Sequence, residues 1–329
     1  MIIDIYTHVF PKNLFDALVD KGIGNLAKRM QSVKSVYDLD SRFREMDKVD
    51  DYRQIISLPH PVLEELFEPK EASRLSSSAN DGLADMCARH PDRFAGFVAA
   101  VAMTDVDGAV QEAERAVRQL GACGIQVYTN VVGEPLEDPK FEPVFAKMSE
   151  LGRPIWMHPA RSASMPDYPS EKKSRYEMWW CFGWPYETTV AASRLVLSGM
   201  FDRYPGLNIV THHLGGMIPF FDGRIETGLQ FLGSRTPDED YSHILPSLKR
   251  PLIEYFKMFY ADTAMMGGTA GLPCGLKFFG SEHVVFASDA PFGDIAPALK
   301  ALNDLPLSVE ARNQIMYGNA ERIVKMKFA

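Results

Sequence analysis

Four residues able to bind a cation or move a proton each close a short apolar run. His8 ends IIDIYTH, His158 ends PIWMH, His213 ends NIVTHH and Asp289 follows VVFAS. Imidazole nitrogen and carboxylate oxygen suit zinc, manganese or iron(II), so the set could converge on one divalent metal ion, Zn or Mn. In the first run Asp4, Tyr6 and His8 alternate with Ile5 and Thr7, and a regular strand would project all three from one face. A metal enzyme would normally use two good ligands at that spacing. Here position 6 holds a tyrosine.

Residues at strand ends need a fold that gathers those ends. Eight candidate strands recur along the chain: MIIDIYTH, YRQIISLP, FAGFVAAVA, CGIQVYTN, PIWMHPA, LNIVTHH, MFYADTA and VVFASDAP. Helix-like stretches lie between them at 74–90, 107–120, 140–151 and 186–204. Asp105 and Asp107 suit the start of the second stretch and Gly121 its end. Strands alternating with helices predict a parallel (β/α)8 TIM barrel, with an open doubly wound sheet as the alternative. An open sheet concentrates its site near one switch point, whereas these residues come from strands one, five, six and eight, which favours the barrel. Short extra helices are expected at 11–35 and 308–327. No linker, low-complexity tract or repeat divides the chain, so 1–329 reads as a single barrel domain.

The composition is consistent with that fold. With 329 residues, 46% of them hydrophobic, the chain can supply a substantial core. A formal charge of −8 without any run of Lys or Arg makes nucleic acid and anionic membrane poor partners. The first twenty residues lack a basic segment followed by an apolar one. No apolar run approaches the roughly 20 residues that span a bilayer, and a soluble, cytoplasmic protein is expected. Cys87, Cys123, Cys181 and Cys274 stand far apart, which predicts free thiols without chemistry.

Taken together, IDIYTH, WMHPA, THHLGGMIPFF and FASDAPFG resemble the amidohydrolase-2 group, whose members include aminocarboxymuconate-semialdehyde decarboxylase and γ-resorcylate decarboxylase. YDLDSRFREMD and FGWPYETTVAASRLVLSGMFDRYPGLNIV look like family segments outside the metal site. The resemblance implies a metal held at positions 6 and 8, by His158 and by Asp289. It gives His213, in H-L-G-G, a role beside the metal water or substrate. On a regular strand His212 points away from His213, so it reads as a packing or supporting residue.

Tyr6 departs from the family pattern, which has His or Glu there. A neutral phenol is a poor ligand. Three outcomes follow: ionisation to phenolate on the metal, a site of three protein ligands (His8, His158, Asp289) with Tyr6 bonded to metal water or substrate, or no metal. The second is preferred, because catalytic sites commonly combine three ligands with an open position. Tyr6 could also merely fill the barrel floor.

Arg42 matches an arginine that binds substrate carboxylate in the decarboxylases, a task its planar fork suits. Arg44 is a weaker candidate. Arg224 matches one that enters the partner subunit's site, which implies a homodimer or a dimer-based assembly. Among Trp179, Trp180, Phe182 and Trp184, Trp180 best matches the family's pocket tryptophan. Asp262 reads equally as an orienting group and as a helix cap. Asp4 reads as a buried hydrogen-bonding residue.

The leading expectation is a metal-dependent, non-oxidative decarboxylase of a small aromatic or unsaturated carboxylic acid, with Asp289 or His213 moving the proton. Hydrolysis or hydration of a small ester, lactone, amide or unsaturated acid would use the same residues. A barrel that lost its metal through Tyr6 and only binds is the third reading.

Overall fold

The computed structural model describes residues 1–21 and 32–328; the part of the expected 11–35 segment that covers 22–31 lies outside them. Eight strands, all parallel, form one sheet in the order β1 (Ile2–His8), β2 (Tyr52–Ser57), β3 (Phe94–Ala100), β4 (Gly124–Tyr128), β7 (Ile155–His158), β8 (Ile209–Thr211), β9 (Tyr260–Asp262), β10 (Val284–Val285). All eight candidate strands are therefore present. A small antiparallel ribbon, β5 (Asn130–Val131) with β6 (Glu134–Pro135), follows β4.

The sheet curls back on itself. Ile5 N donates to Phe286 O at 3.0 Å and His8 N to Ala290 O at 2.7 Å, so the segment after β10 joins β1 and the TIM barrel closes. Strands buried on both faces read as continuous apolar runs because helices cover the outside. One apolar cluster draws Ile3, Ile55, Val98, Trp156, Val210, Tyr260 and Val285 from seven strands and adds Cys123, just before β4, and Ala320, Ile323 and Val324 of the last helix. This is the barrel interior. A second, larger cluster, including Phe97, Phe145, Leu195 and Phe256, joins the barrel to the surrounding helices.

The helices follow the sequence signals, with shifted ends. Pro69–Arg89 covers 74–89 of the expected 74–90 and starts earlier, with Pro69 in its first turn. The 186–204 stretch is two helices, Gly183–Leu197 and Met200–Arg203, broken at Gly199, which has φ +73°. Asp105 does precede the helix Val106–Gln119, yet its carboxylate accepts from Lys70 and Ser73 instead of capping a backbone N–H. At the C-terminus, Val309–Asn313 and Asn319–Val324 flank a wider π-type turn, Gln314–Gly318. Among the described residues no helix is long and apolar enough to cross a membrane.

The first strand departs from the sequence reading at the point that matters most. β1 and β2 pair Asp4 with Gln54 and Thr7 with Ile56, so Ile5 and Tyr6 together face Ile55. That extra residue is a β-bulge, and it reverses which side later residues face. Ile3 and Ile5 point inward, Tyr6 follows them inward, and His8 arrives inside the mouth. Asp4 stays on the helix-facing side with Tyr52 and Gln54. The three polar residues of IDIYTH do not share one face.

Candidate active site

At the C-terminal ends of the strands the imidazoles of His8, His158 and His212 meet, with one nitrogen of each within 4.8 Å of the others. His212, His213 and Asp289 form an overlapping group of the same size. His8 leaves β1 with Nδ1 3.2 Å from Leu58 O and 3.1 Å from the Ser57 hydroxyl, which turns Nε2 toward the cluster. His158 ends β7 with Nδ1 2.8 Å from Pro159 O, with the same result. Asp289 sits in a left-handed turn, φ +66°, after the last strand. Gly293 closes that turn; a Cβ there would lie 2.1 Å from Ser288 O, which only glycine avoids.

His212 was read as pointing away from the site, and the structure corrects this. β8 stops at Thr211, and His213 and Leu214 take left-handed conformations, φ +52° and +57°. Strand alternation therefore ends before it can separate the two histidines. Their rings stack at 3.7 Å and both stand beside Asp289. His212 Nδ1 donates to Asp262 Oδ2, and Asp262 Oδ1 accepts from Ala264 N at 3.0 Å. Asp262 thus orients an imidazole and caps no helix.

The charges follow from burial and neighbours. Burial disfavours a charged His212, but the Asp262 and Asp289 carboxylates outweigh it and raise its pKa to about 9. Burial works against ionised Asp289 as well, yet His212 and His8 hold it well below the usual carboxylate range. His158 is pushed well down by burial and by His60, His212 and His8. Burial with His212 nearby lowers His213 to about 4, and its Nδ1 lies 2.7 Å from Ala264 O.

Tyr6 is fully buried, with its ring 4.2 Å from that of His212 and 5.3 Å from that of His8. Burial raises its pKa well above 10, so it is a neutral phenol. Among the described residues its hydroxyl, His8 Nε2 and His212 Nε2 all lack a hydrogen-bond partner. His8 Nε2 lies 3.1 Å from Asp289 Oδ1 without the alignment of a hydrogen bond. Unpartnered buried polar atoms are costly, and three on neighbouring rings fit a site for a bound group. Imidazole nitrogens with a carboxylate fit one divalent cation.

His60, which sequence reasoning passed over, and Trp184, named there only as one of four neighbouring aromatics, complete the wall. His60, three residues past β2, puts Nε2 3.3 Å from His158 Nδ1 and 3.1 Å from Pro159 O. Trp184 stacks on His60 at 5.0 Å, meets His158 edge-on at 5.4 Å and lies parallel to His213 at 6.4 Å. The tryptophan matched in sequence, Trp180, stands one ring further out and contacts Trp184 at 6.3 Å. Tyr128 and Phe292 add further rings beside His158 and His8.

The arginines do not join the cluster. Arg42 is 2% exposed; its Nε donates to Gln54 at 2.7 Å and its Nη1 to the His8 carbonyl at 2.6 Å. The fork expected for a carboxylate is thus committed to holding the end of β1, and Nη2 alone is left without a partner among the described residues. Arg42 also lines a cavity of about 810 Å³ shared with Phe292 and Asp294. Arg44 bonds Ser41 at the surface. Arg224 is exposed over the Phe221 ring, at 5.8 Å.

A closed parallel barrel with histidines and an aspartate at its strand ends defines a class of metal-centred barrel enzymes. Residues 56–326 match the amidohydrolase family model, and the chain belongs to that family. It is 34% identical to γ-resorcylate decarboxylase of Rhodococcus jostii over 87% of either chain. Its identity to 2-amino-3-carboxymuconate-6-semialdehyde decarboxylase of Dictyostelium discoideum is 28%, over 97% of this chain and 90% of that one. A solved 5-carboxyvanillate decarboxylase of Novosphingobium aromaticivorans, complexed with manganese and 4-hydroxy-3-methoxy-5-nitrobenzoic acid, is similar at a TM-score of 0.85. The identity there is 26%, over 99% of this chain and 96% of that one.

Proposed function

We propose that this chain is a metal-dependent, non-oxidative decarboxylase of a small hydroxybenzoate-like acid, with His8, His158 and Asp289 holding one divalent ion, zinc or manganese. The carrying observation is the buried imidazole and carboxylate cluster under an aromatic wall, in a chain whose relatives are decarboxylases. When bound, the ion would supply electrostatic stabilisation to charge developing on the substrate's oxygens.

Loss of CO2 breaks the bond between the ring carbon and the carboxylate carbon. The electron pair stays on the ring carbon, which then takes up a proton. Asp289 and His213 are the groups that would relay that proton, since both face the cluster and are unprotonated at rest. Tyr6, a neutral phenol with a free hydroxyl, would donate a hydrogen bond to a substrate oxygen. Trp184 with His60 offers a flat face for a planar ring and keeps water from the reacting carbon. Trp180 backs Trp184. Arg42 keeps His8 in place, and its one unpaired nitrogen is all it could offer an anion. The aromatic wall favours this reading over hydrolysis, which an open, water-rich groove would favour.

The reading includes a cytoplasmic homodimer. In it Arg224, with the exposed Phe220 and Phe231 nearby in sequence, reaches the partner's site. The test is metal analysis of protein purified without chelator, followed by CO2 release from 2,6-dihydroxybenzoate, 5-carboxyvanillate and 6-methylsalicylate. About one ion per chain and turnover of one of these acids, both lost in His158→Ala, are expected. A metal-loaded protein inert toward all of them would overturn the decarboxylase reading.

A further inference from the structure

The donors around the cluster are not equivalent. Three imidazoles have one ring nitrogen engaged and the other presented inward: His8 through Leu58 O, His158 through Pro159 O and His212 through Asp262. All three are at least 97% buried. His212 Nε2 is unpartnered and 3.5 Å from the same Asp289 oxygen that His8 approaches at 3.1 Å. Asp262 is itself fully buried and fixed by the Ala264 amide. A carboxylate behind an imidazole sets its tautomer and aims the opposite nitrogen, the arrangement that supports histidine ligands in metal centres. His213 differs. It is half-buried, bonded to a main-chain carbonyl and parallel to Trp184 at the mouth.

We propose that His212, oriented by Asp262, is a further protein ligand of the ion, which then sits on three imidazole nitrogens and Asp289, while His213 is left to face the substrate. This rests on the metal reading above and extends its ligand set. It also explains how the site tolerates Tyr6. The phenol ring packs 4.2 Å from His212, so the residue just past β8 supplies a nitrogen beside the place where β1 offers only a neutral hydroxyl. An imidazole-rich set suits zinc or iron(II) better than manganese, which prefers carboxylate, carbonyl and water.

The test uses full-length protein stripped of metal and reloaded with Cu(II), with bound imidazoles counted by electron spin-echo envelope modulation. Three imidazoles are expected in wild type and in His213→Gln, and two in His212→Gln. A count of two in wild type, unchanged by His212→Gln, would overturn the proposal and leave the metal reading standing. Failure of wild type to take up Cu(II), Zn(II) or Mn(II) would overturn the metal reading itself. Should His212→Gln not fold, Asp262→Asn keeps the question open to measurement. Its Zn(II) affinity in a chelator competition should fall about 10- to 100-fold, and an unchanged affinity would count against the proposal.

Discussion

Asp4 accepts both the hydroxyl and the amide of Ser288, the amide at 3.1 Å, so a carboxylate on the first strand holds the residue next to Asp289. The same carboxylate accepts the Tyr52 hydroxyl at 2.6 Å; Gln54 donates to Tyr52, and Arg42 links Gln54 to the His8 carbonyl. One buried chain of hydrogen bonds therefore fixes both ends of the site from outside the barrel.

Asp4→Ala strands the Tyr52 and Ser288 hydroxyls in a dry environment. A loss of about 3 kcal/mol in unfolding free energy is expected from urea titration, together with a lower metal content. A loss under about 0.5 kcal/mol would mean that the chain of bonds contributes little.

Tyr6→Phe removes a buried hydroxyl that has no partner and keeps the ring. Thermal unfolding should show unchanged or slightly higher stability, by up to about 1 kcal/mol, with bound metal retained and turnover reduced. Loss of the ion in this variant would show that the phenol oxygen is a ligand.

Glu64 is 8% exposed, and burial raises its pKa to about 7 despite bonds from the Met103 and Thr104 amides. Between the ordinary 4.5 and about 7 the folded chain binds more protons than the unfolded one. Stability therefore falls as pH rises through that window, by on the order of 3 kcal/mol if no other group titrates. Of the denaturant midpoints measured from pH 4 to 8, those of wild type should lose ground to those of Glu64→Gln as pH rises, since the neighbouring histidines titrate in both; a constant difference would remove Glu64 as the cause.

Trp184→Ala should raise KM by about tenfold or more, since it deletes the ring that covers His60 and His158, whereas Trp180→Ala should cost about threefold or less. Steady-state kinetics on an active acid decides it. The reverse ranking would restore Trp180 as the substrate wall.

Much of this was legible in the chain. Strand runs such as FAGFVAA and GIQVY are buried on both faces and bounded by polar turns, so composition alone exposed all eight strands. Their closing residues, His8, His158 and Asp289, came with them. What was lost lay where local geometry leaves regularity. The bulge at Ile5–Tyr6 reverses a face without any sequence mark, and the left-handed step at His213 brings His212 back to the mouth. His60 acts from a connecting segment, where no period predicts direction, and Trp184, in the first turn of the helix Gly183–Leu197, stood out in sequence only as one of four neighbouring aromatics. The signal for His60 was only its nearness to a strand end, in SLPHP.

The seam between β1 and the segment after β10 also sets an order in time. A ribosome delivers His8, His158 and His212 well before Ser288 and Asp289, and until those last residues emerge Asp4 has no serine to hold and the histidines face no carboxylate. The pocket therefore becomes whole only when the segment that closes the barrel joins β1, so closure of the fold and completion of the centre are one event.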